Sequence, residues 1–221
     1  MRFDLVIFDC DGVLIDSELI SARMLIEELG TLGVRIDLPY VAEHFLGRSY
    51  PVVMAQIRQE FGIALPPEFE DLYRARLLDA FRAELRIMPH VAPVIAGLSV
   101  PCCVATSSSR PRAELSLSLV GLGHLNGPRL FTSSMVQHGK PAPDLFLHAA
   151  RAMGAEPARC LVIEDSLTGI RAARAAGMTV WRFTGGSHLR GAVTGPEDGA
   201  HGRFASFERF FQIDPDLGGS A

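Results

Sequence analysis

The chain has 221 residues, 48% of them hydrophobic, which is enough to bury a full core in one domain or in one domain with an insertion. Its formal net charge is −4 and its arginines are scattered, so no basic surface for a nucleic acid is expected. The most apolar stretch, residues 90–105, is broken by Pro93, Gly97 and Pro101. It is too short and too interrupted for a membrane helix, and we predict no membrane partner.

Cysteine usage and the first residues of the chain bear on the compartment. Cys10, Cys102, Cys103 and Cys160 show no CxxC spacing, which predicts neither a disulfide framework nor a zinc site. Asp4 comes before any long apolar run, unlike the pattern of a secretory signal. We therefore expect a cytoplasmic protein.

Short apolar runs alternate with helical patterns along most of the chain. The first run, residues 3–8, predicts a buried strand that ends at Asp9. Further strands are predicted at residues 102–105, 130–132, 160–163 and 179–183, and helices at 91–98, 111–120, 143–153 and 167–176. This order predicts a Rossmann-like, doubly wound parallel α/β sheet with right-handed crossovers.

One segment interrupts the alternation, because it contains helical patterns without any strand. These patterns lie at residues 18–29, 39–45, 51–61 and 67–85. We interpret residues 17–86 as an all-helical cap domain inserted after the first strand, and residues 1–16 and 87–221 as the catalytic core. The tail from residue 185, with a weak apolar cluster at 204–211, is predicted to be peripheral, and its sequence gives no information about the chemistry.

Polar side chains follow the predicted strands where each strand ends. In a parallel sheet these ends meet at one edge, where ligands bind. Carboxylates from two strands can hold a hard cation, and hydroxyl, backbone N–H and ammonium groups can hold phosphate oxygens. The collected residues are Asp9 and Asp11, then Thr106, Ser107 and Ser108, then Lys140, then Glu164 and Asp165.

Four motifs resemble those of the haloacid dehalogenase-like superfamily of phosphotransferases. They occur in the family's order as DCDGV (residues 9–13), VATSS (104–108), GKPAPD (139–144) and IEDS (163–166). The resemblance reaches from the N-terminus to about residue 183. The DSE sequence at residues 16–18 resembles the entry to the small cap in the phosphoglycolate phosphatase and β-phosphoglucomutase branch.

The resemblance implies roles for the acidic residues. Asp9 would attack phosphorus and form an aspartyl-phosphate, and Asp11 would be the acid for the leaving alcohol and then the base for water. Mg²⁺ would lie between the Asp9 carboxylate, the backbone carbonyl of Asp11 and Asp165. Glu164 would be in or next to its coordination shell.

Other positions follow from the same resemblance. Thr106 and the N–H groups of Ser107 and Ser108 would bind the phosphoryl oxygens, while Lys140 would offset negative charge. Gly12 would let the backbone turn past the phosphate. In the cap, Gly47-Arg48-Ser49 resembles the substrate-facing loop, with Arg48 as a candidate for binding a second anionic group on the substrate, and Ser49 beside it.

Each motif alone has a structural interpretation. An isolated DxDG is often a turn, Thr106-Ser107-Ser108 and Glu164-Asp165-Ser166 fit helix N-caps, Lys140 fits a solvated loop, and Arg48 fits a surface side chain. The four motifs together favour the catalytic interpretation for the core residues.

Several functions stay open at this point. The leading hypothesis is Mg²⁺-dependent hydrolysis of a sugar phosphate or a phosphorylated sugar acid by a monomer or weak homodimer. The related β-phosphoglucomutases have a histidine where this chain has Ser21 and an arginine where it has Tyr50, which weakens a mutase assignment. Dehalogenases lack the second aspartate that Asp11 supplies, and phosphonate cleavage is disfavoured for the same reason. A non-catalytic metabolite-binding protein is the alternative from a different class.

Overall fold

The computed structural model describes residues 2–45, 48–191 and 198–219. One sheet of six parallel strands runs through the described chain in the order β3-β2-β1-β4-β5-β6. The strands are β1 (Leu5–Phe8), β2 (Cys102–Thr106), β3 (Leu130–Thr132), β4 (Cys160–Glu164), β5 (Thr179–Phe183) and β6 (Gly202–Phe204). The predicted parallel α/β sheet is confirmed.

Successive residues of the strands face two separate cores. On β1, Val6 and Phe8 belong to one buried cluster, whereas Leu5 and Ile7 belong to the other. Helices cover both faces, because a parallel strand buried on two sides needs apolar cover on each. The core helices are α5 (Val91–Gly97), α6 (Arg110–Leu119), α7 (Asp144–Ala152) and α8 (Leu167–Ala175).

Four helices lie between β1 and α5. They are α1 (Glu18–Thr31), α2 (Leu38–His44), α3 (Tyr50–Phe61) and α4 (Phe69–Glu84). Asp37 caps α2 by accepting a hydrogen bond from the Tyr40 N–H at 2.9 Å. Where the chain enters and leaves this segment, the Asp16 N–H donates to the Arg86 carbonyl at 3.0 Å. The division into a core and a cap at residues 17–86 stays a prediction.

The tail contributes to the core, so the prediction that it is peripheral is wrong. Strand β6 pairs with β5, and α9 (Phe210–Ile213) follows it. Phe204, Phe207 and Phe210 are all buried, with ring centroids 5.1–6.0 Å apart. Three packed aromatic rings bury a large apolar area, which outweighs the glycine- and proline-rich composition around them. Among the described helices, none is long and apolar enough to cross a membrane.

Candidate active site

Lys140 connects the carboxyl ends of three neighbouring strands. Its ammonium donates to Asp9 Oδ1 at 2.6 Å, to Glu164 Oε1 at 2.8 Å and to the Ala105 carbonyl at 3.0 Å. The lysine side chain is only 2% exposed. Burial favours loss of its proton, but the two carboxylates outweigh burial and raise the pKa of Lys140. The lysine is therefore a fixed positive charge beneath the strand ends.

Glu164 is held rigidly in this arrangement. Its Oε2 accepts hydrogen bonds from the Ser166 N–H at 2.8 Å and the Ser166 hydroxyl at 2.9 Å, while Oε1 faces Lys140. Gly169 in α8 makes room for the carboxylate, since a Cβ there would lie 1.6 Å from Oε1. With its hydrogen bonds made, Glu164 is well placed to orient Lys140.

Asp9, Glu164 and Asp165 form a buried group of carboxylates. One oxygen from each lies within 4.8 Å of the others. Burial raises the pKa of Asp9 well above its usual range, because neighbouring carboxylates add to burial and Lys140 only partly opposes them. Burial and Glu164 likewise raise the pKa of Asp165. Three carboxylates share one lysine, and such an oxygen donor set with excess negative charge fits a hard divalent cation.

Asp11 lies outside that group and has its own hydrogen bonds. Its Oδ1 accepts from the Ser17 hydroxyl at 2.5 Å and from Arg112 Nη2 at 2.8 Å, and its Oδ2 accepts from the Ser108 hydroxyl at 2.6 Å. Burial alone would raise the pKa of Asp11, but Arg112 and the two hydroxyls lower it. The structure thus favours the carboxylate form of Asp11.

The loop after β2 is also in place. Thr106 is buried, and its hydroxyl accepts from the Ser108 N–H at 3.1 Å. The Ser107 carbonyl accepts from the Ser133 hydroxyl at 3.1 Å. Gly12 has a φ of +77°, and a Cβ at that position would lie 2.0 Å from Asp165 Oδ2. Only glycine therefore allows the backbone to pass this close to the carboxylate group.

A cavity of about 620 Å³ opens above these strand ends. The core residues Asp9, Thr106 and Lys140 line it, as do apolar side chains of the four-helix segment such as Leu25 and Met54. The cavity is large enough for a small organic ligand and combines polar groups with apolar walls.

The predicted residues of the cap loop are only partly engaged with this cavity. Arg48 and Ser49 line it, but Arg48 is exposed and donates from Nη1 to the Gln56 side chain at 2.8 Å. Gly47 lies outside the described residues. The structure therefore places the predicted core residues together at the strand ends, whereas Arg48 and Ser49 of the predicted cap line only the cavity wall.

Sequence reasoning assigned no site role to three contributors. Arg112 contacts Asp11 and no local sequence pattern marks it, whereas Ser17, which also contacts Asp11, lies in the DSE sequence at the entry to the predicted cap. His188 follows β5, and its side chain is only 4% exposed, with Nε2 2.9 Å from Asp165 Oδ2. Burial lowers the pKa of His188, which favours a neutral imidazole. Applying the strand-end rule to β5 as well would have found it.

Comparison of the sequence with models of known protein families identifies the class of hydrolase to which this fold and site belong. The model of the haloacid dehalogenase-like hydrolase family matches residues 3–177. The chain belongs to this family.

Two named relatives cover 98% and 80% of the chain. A 6-phosphogluconate phosphatase of Escherichia coli is 29% identical over 217 residues, which are 98% of this chain and 95% of that protein. A fructose-1-phosphate phosphatase of E. coli is 34% identical over 182 residues, 80% of this chain and 94% of that protein. The crystal structure of a family hydrolase from Deinococcus radiodurans with bound phosphate and sodium has a TM-score of 0.76, at 34% identity and 100% and 99% coverage.

Proposed function

We propose that this chain is a Mg²⁺-dependent phosphatase that hydrolyses a small phosphorylated sugar or related metabolite. The observation that carries the proposal is the buried Lys140, which holds Asp9 and Glu164 beside Asp165 beneath a polar-floored cavity. The family membership supports it, as do the two E. coli relatives, whose names specify a phosphorylated sugar acid and a sugar phosphate.

Asp9 is the proposed nucleophile. Its carboxylate oxygen forms a bond to phosphorus, the bond from phosphorus to the ester oxygen breaks, and the alcohol leaves with a proton. The lysine beside Asp9 favours the ionised carboxylate that this attack requires. Water then cleaves the aspartyl-phosphate and releases inorganic phosphate.

Asp11 is the proposed acid and base. It protonates the leaving alcohol and takes a proton from the attacking water in the second step. The low pKa that Arg112 imposes suits a resting carboxylate. Asp11 therefore has to take up a proton from solvent before the first step, and it recovers one from the attacking water in the second.

The buried carboxylates fit Mg²⁺, and we propose Asp9, Asp165 and the Asp11 backbone carbonyl as its protein ligands. When bound, the cation neutralises negative charge between the nucleophile and the phosphoryl group. Both carboxylate oxygens of Glu164 already accept hydrogen bonds from Lys140 or Ser166. We therefore propose that Glu164 lies beside the coordination shell rather than within it.

Phosphate binding is assigned to the loop after β2. The Thr106 hydroxyl and the Ser107 N–H are the proposed donors to the phosphoryl oxygens, and the Ser108 N–H joins them by exchanging its hydrogen bond to the Thr106 hydroxyl for one to phosphate. Lys140 supplies positive charge. Gly12 keeps the approach to the carboxylates open.

The four-helix segment is the proposed cap, with residues 17–86 as its extent. Arg48 and Ser49 line the cavity and are proposed to contact the substrate there. The two positions that distinguish the mutases favour hydrolysis. The Ser21 hydroxyl donates to the Ser17 carbonyl at 2.9 Å, and the Tyr50 ring stacks on Tyr73 at 5.3 Å, so neither position supplies a cation.

The test is phosphate release from a panel of phosphate esters with and without Mg²⁺. Asp9→Asn and Asp11→Asn should lose turnover, whereas Asp79→Asn, an exposed carboxylate paired with Arg82, should keep it. Unchanged turnover in both site variants would refute the proposal. Formation of glucose 6-phosphate from β-glucose 1-phosphate would instead support a mutase. Light scattering would test the predicted monomer or weak homodimer.

A further inference from the structure

Arg112 presents unused hydrogen-bond donors beside the proposed acid. It extends from α6 of the core, and its Nη2 donates to Asp11 Oδ1 at 2.8 Å and to the Ser21 hydroxyl at 3.1 Å. Its guanidinium lies 5.2 Å from the centroid of the Phe81 ring, within the range of a cation–π contact. Within the described chain, Nε and Nη1 have no hydrogen-bond partner. Nε is itself buried, but Arg112 lines the cavity, so a ligand there can contact the rest of the guanidinium.

Glu18 is the second unpartnered group at this part of the cavity wall. It lies in the first turn of α1 and lines the cavity, and its carboxyl makes neither a hydrogen bond nor an ion pair with any described residue. Burial, together with Asp11 and Asp165, raises its pKa to about 8, while the nearby Arg112 opposes that rise. A carboxyl group near its pKa at neutral pH can both accept and donate a hydrogen bond.

We propose that Glu18 and Arg112 recognise a hydroxyl group of the substrate. This hydroxyl lies on the carbon adjacent to the one that carries the phosphate ester. This inference rests on the proposed function and narrows it to phosphorylated polyols and sugars. It disfavours esters in which that adjacent carbon belongs to a carboxylate group.

Distance supports the neighbouring carbon. Arg112 bonds directly to Asp11, and Asp11 is the proposed donor to the ester oxygen. The guanidinium is therefore about 5–7 Å from that oxygen, since two hydrogen bonds of about 2.8 Å and the width of one carboxylate separate them. Such a span reaches an oxygen on the adjacent carbon and falls short of the far end of a hexose.

Charge supports a hydroxyl group over an anion. A hydroxyl accepts from a guanidinium and exchanges a hydrogen bond with a carboxyl group, so it satisfies both side chains at once. A substrate carboxylate would instead add negative charge beside Asp11 and Asp165, whose charges, after burial, already raise the pKa of Glu18.

A purely structural interpretation exists for each residue and makes a different prediction. Glu18 would stabilise the N-terminus of α1 through its charge, and Arg112 would only position Asp11. Either role would change the rate on every ester alike. Neither would change the preference for an ester with the neighbouring hydroxyl over one without it.

The experiment compares kcat/KM for glycerol 3-phosphate, which has this hydroxyl, with that for propyl phosphate, which lacks it. The unaltered protein should prefer the glycerol ester by about tenfold or more, because a site built for a hydroxyl leaves its polar groups unpaired when the hydroxyl is missing. Glu18→Met keeps the side-chain length but cannot hydrogen-bond, and should abolish most of the preference. Glu18→Gln also lacks the charge but keeps hydrogen bonding, and should retain most of it.

Arg112→Gln gives an independent variant, and its preference ratio should also fall, whatever happens to its absolute rates. 2-Phosphoglycolate should be a poorer substrate of the unaltered protein than glycerol 3-phosphate. Thermal unfolding shows whether each variant is folded, and Asp79→Asn serves as the control.

Two results would overturn the inference. One is an unchanged preference ratio in both Glu18→Met and Arg112→Gln, and the other is a preference of the unaltered protein for 2-phosphoglycolate. Failure of the proposed function looks different, because then the unaltered protein releases phosphate from no ester with Mg²⁺, and both proposals fall together.

Discussion

Replacing Lys140 by methionine should destabilise the protein strongly, and the loss should depend on pH. The variant loses three hydrogen bonds and leaves Asp9 and Glu164 buried without their cation. Breaking a buried ion pair on one side costs about 3–5 kcal/mol. For a chain of this size such a loss lowers the melting temperature by about 6–20 °C, at about 2–4 °C per kcal/mol.

The sign of the pH dependence follows from Asp9. Burial already raises its pKa in the folded protein, and loss of the lysine raises it further. A carboxyl group with a raised folded pKa favours folding at pH values below its unfolded pKa of about 4, and that contribution is lost as the pH rises. The destabilisation of Lys140→Met should therefore be smaller at pH 5 than at pH 8.

The assay is urea unfolding in the presence of EDTA, at pH 5 and pH 8, with the free energy of unfolding from linear extrapolation. Arg23→Met is the matched control, because Arg23 pairs with Glu84 on the surface, where such pairs contribute about 0–1 kcal/mol. A loss in Lys140→Met no larger than that of Arg23→Met at pH 8, or a loss that does not shrink at pH 5, would refute the reasoning.

Three further changes probe other parts of the site. Asp11→Asn should lower turnover of alkyl phosphates by about 10²–10⁴. The leaving group of p-nitrophenyl phosphate needs little protonation, so this ester should still give a burst of nitrophenol in stopped-flow. The absence of a burst would count against Asp11 as the base of the second step. Asp165→Asn should weaken Mg²⁺ binding at least about tenfold by calorimetry; unchanged affinity would remove Asp165 from the cation site. Gly12→Ala should lower the melting temperature more than Gly33→Ala, because both glycines have φ near +80° but only Gly12 meets Asp165; equal losses would show that backbone strain alone decides.

The sheet could be predicted because its central strands are continuous apolar runs. Strand β1 is buried on both faces, and so are β2 and β4, which means that their sequences show no alternation and end abruptly at polar residues. The same abrupt endings located Asp9 and Asp165. The pattern that marks the end of a buried strand therefore also marks the position of a site residue.

Strand β6 could not be predicted from its sequence. Gly202–Phe204 contains one glycine, one arginine and one buried phenylalanine, and it forms a strand through pairing with β5. Its strand conformation comes from a neighbour rather than from its own residues, which is the common limit of local prediction.

Arg112 shows the same limit within the site. It contacts Asp11 across 101 positions of sequence, and an arginine on a helix is ordinarily a surface residue. Motifs located the residues proposed for the chemistry, but the groups that set the pKa of Asp11 and face the rest of the cavity depend on the packing of α1 against the core.

The residues after β5, beginning with the short 3₁₀ helix Ser187–Leu189 that carries His188, set a minimum length for any working fragment of this protein. A chain cut after Phe183 would contain all four motifs and the whole match to the family model, residues 3–177. It would nevertheless lose the His188 contact to Asp165, the Ser187 hydrogen bonds to Asp16, and the strand that covers the open edge of β5. An exposed strand edge invites association with other chains. A shortened version should therefore be cut no earlier than the end of α9 at Ile213.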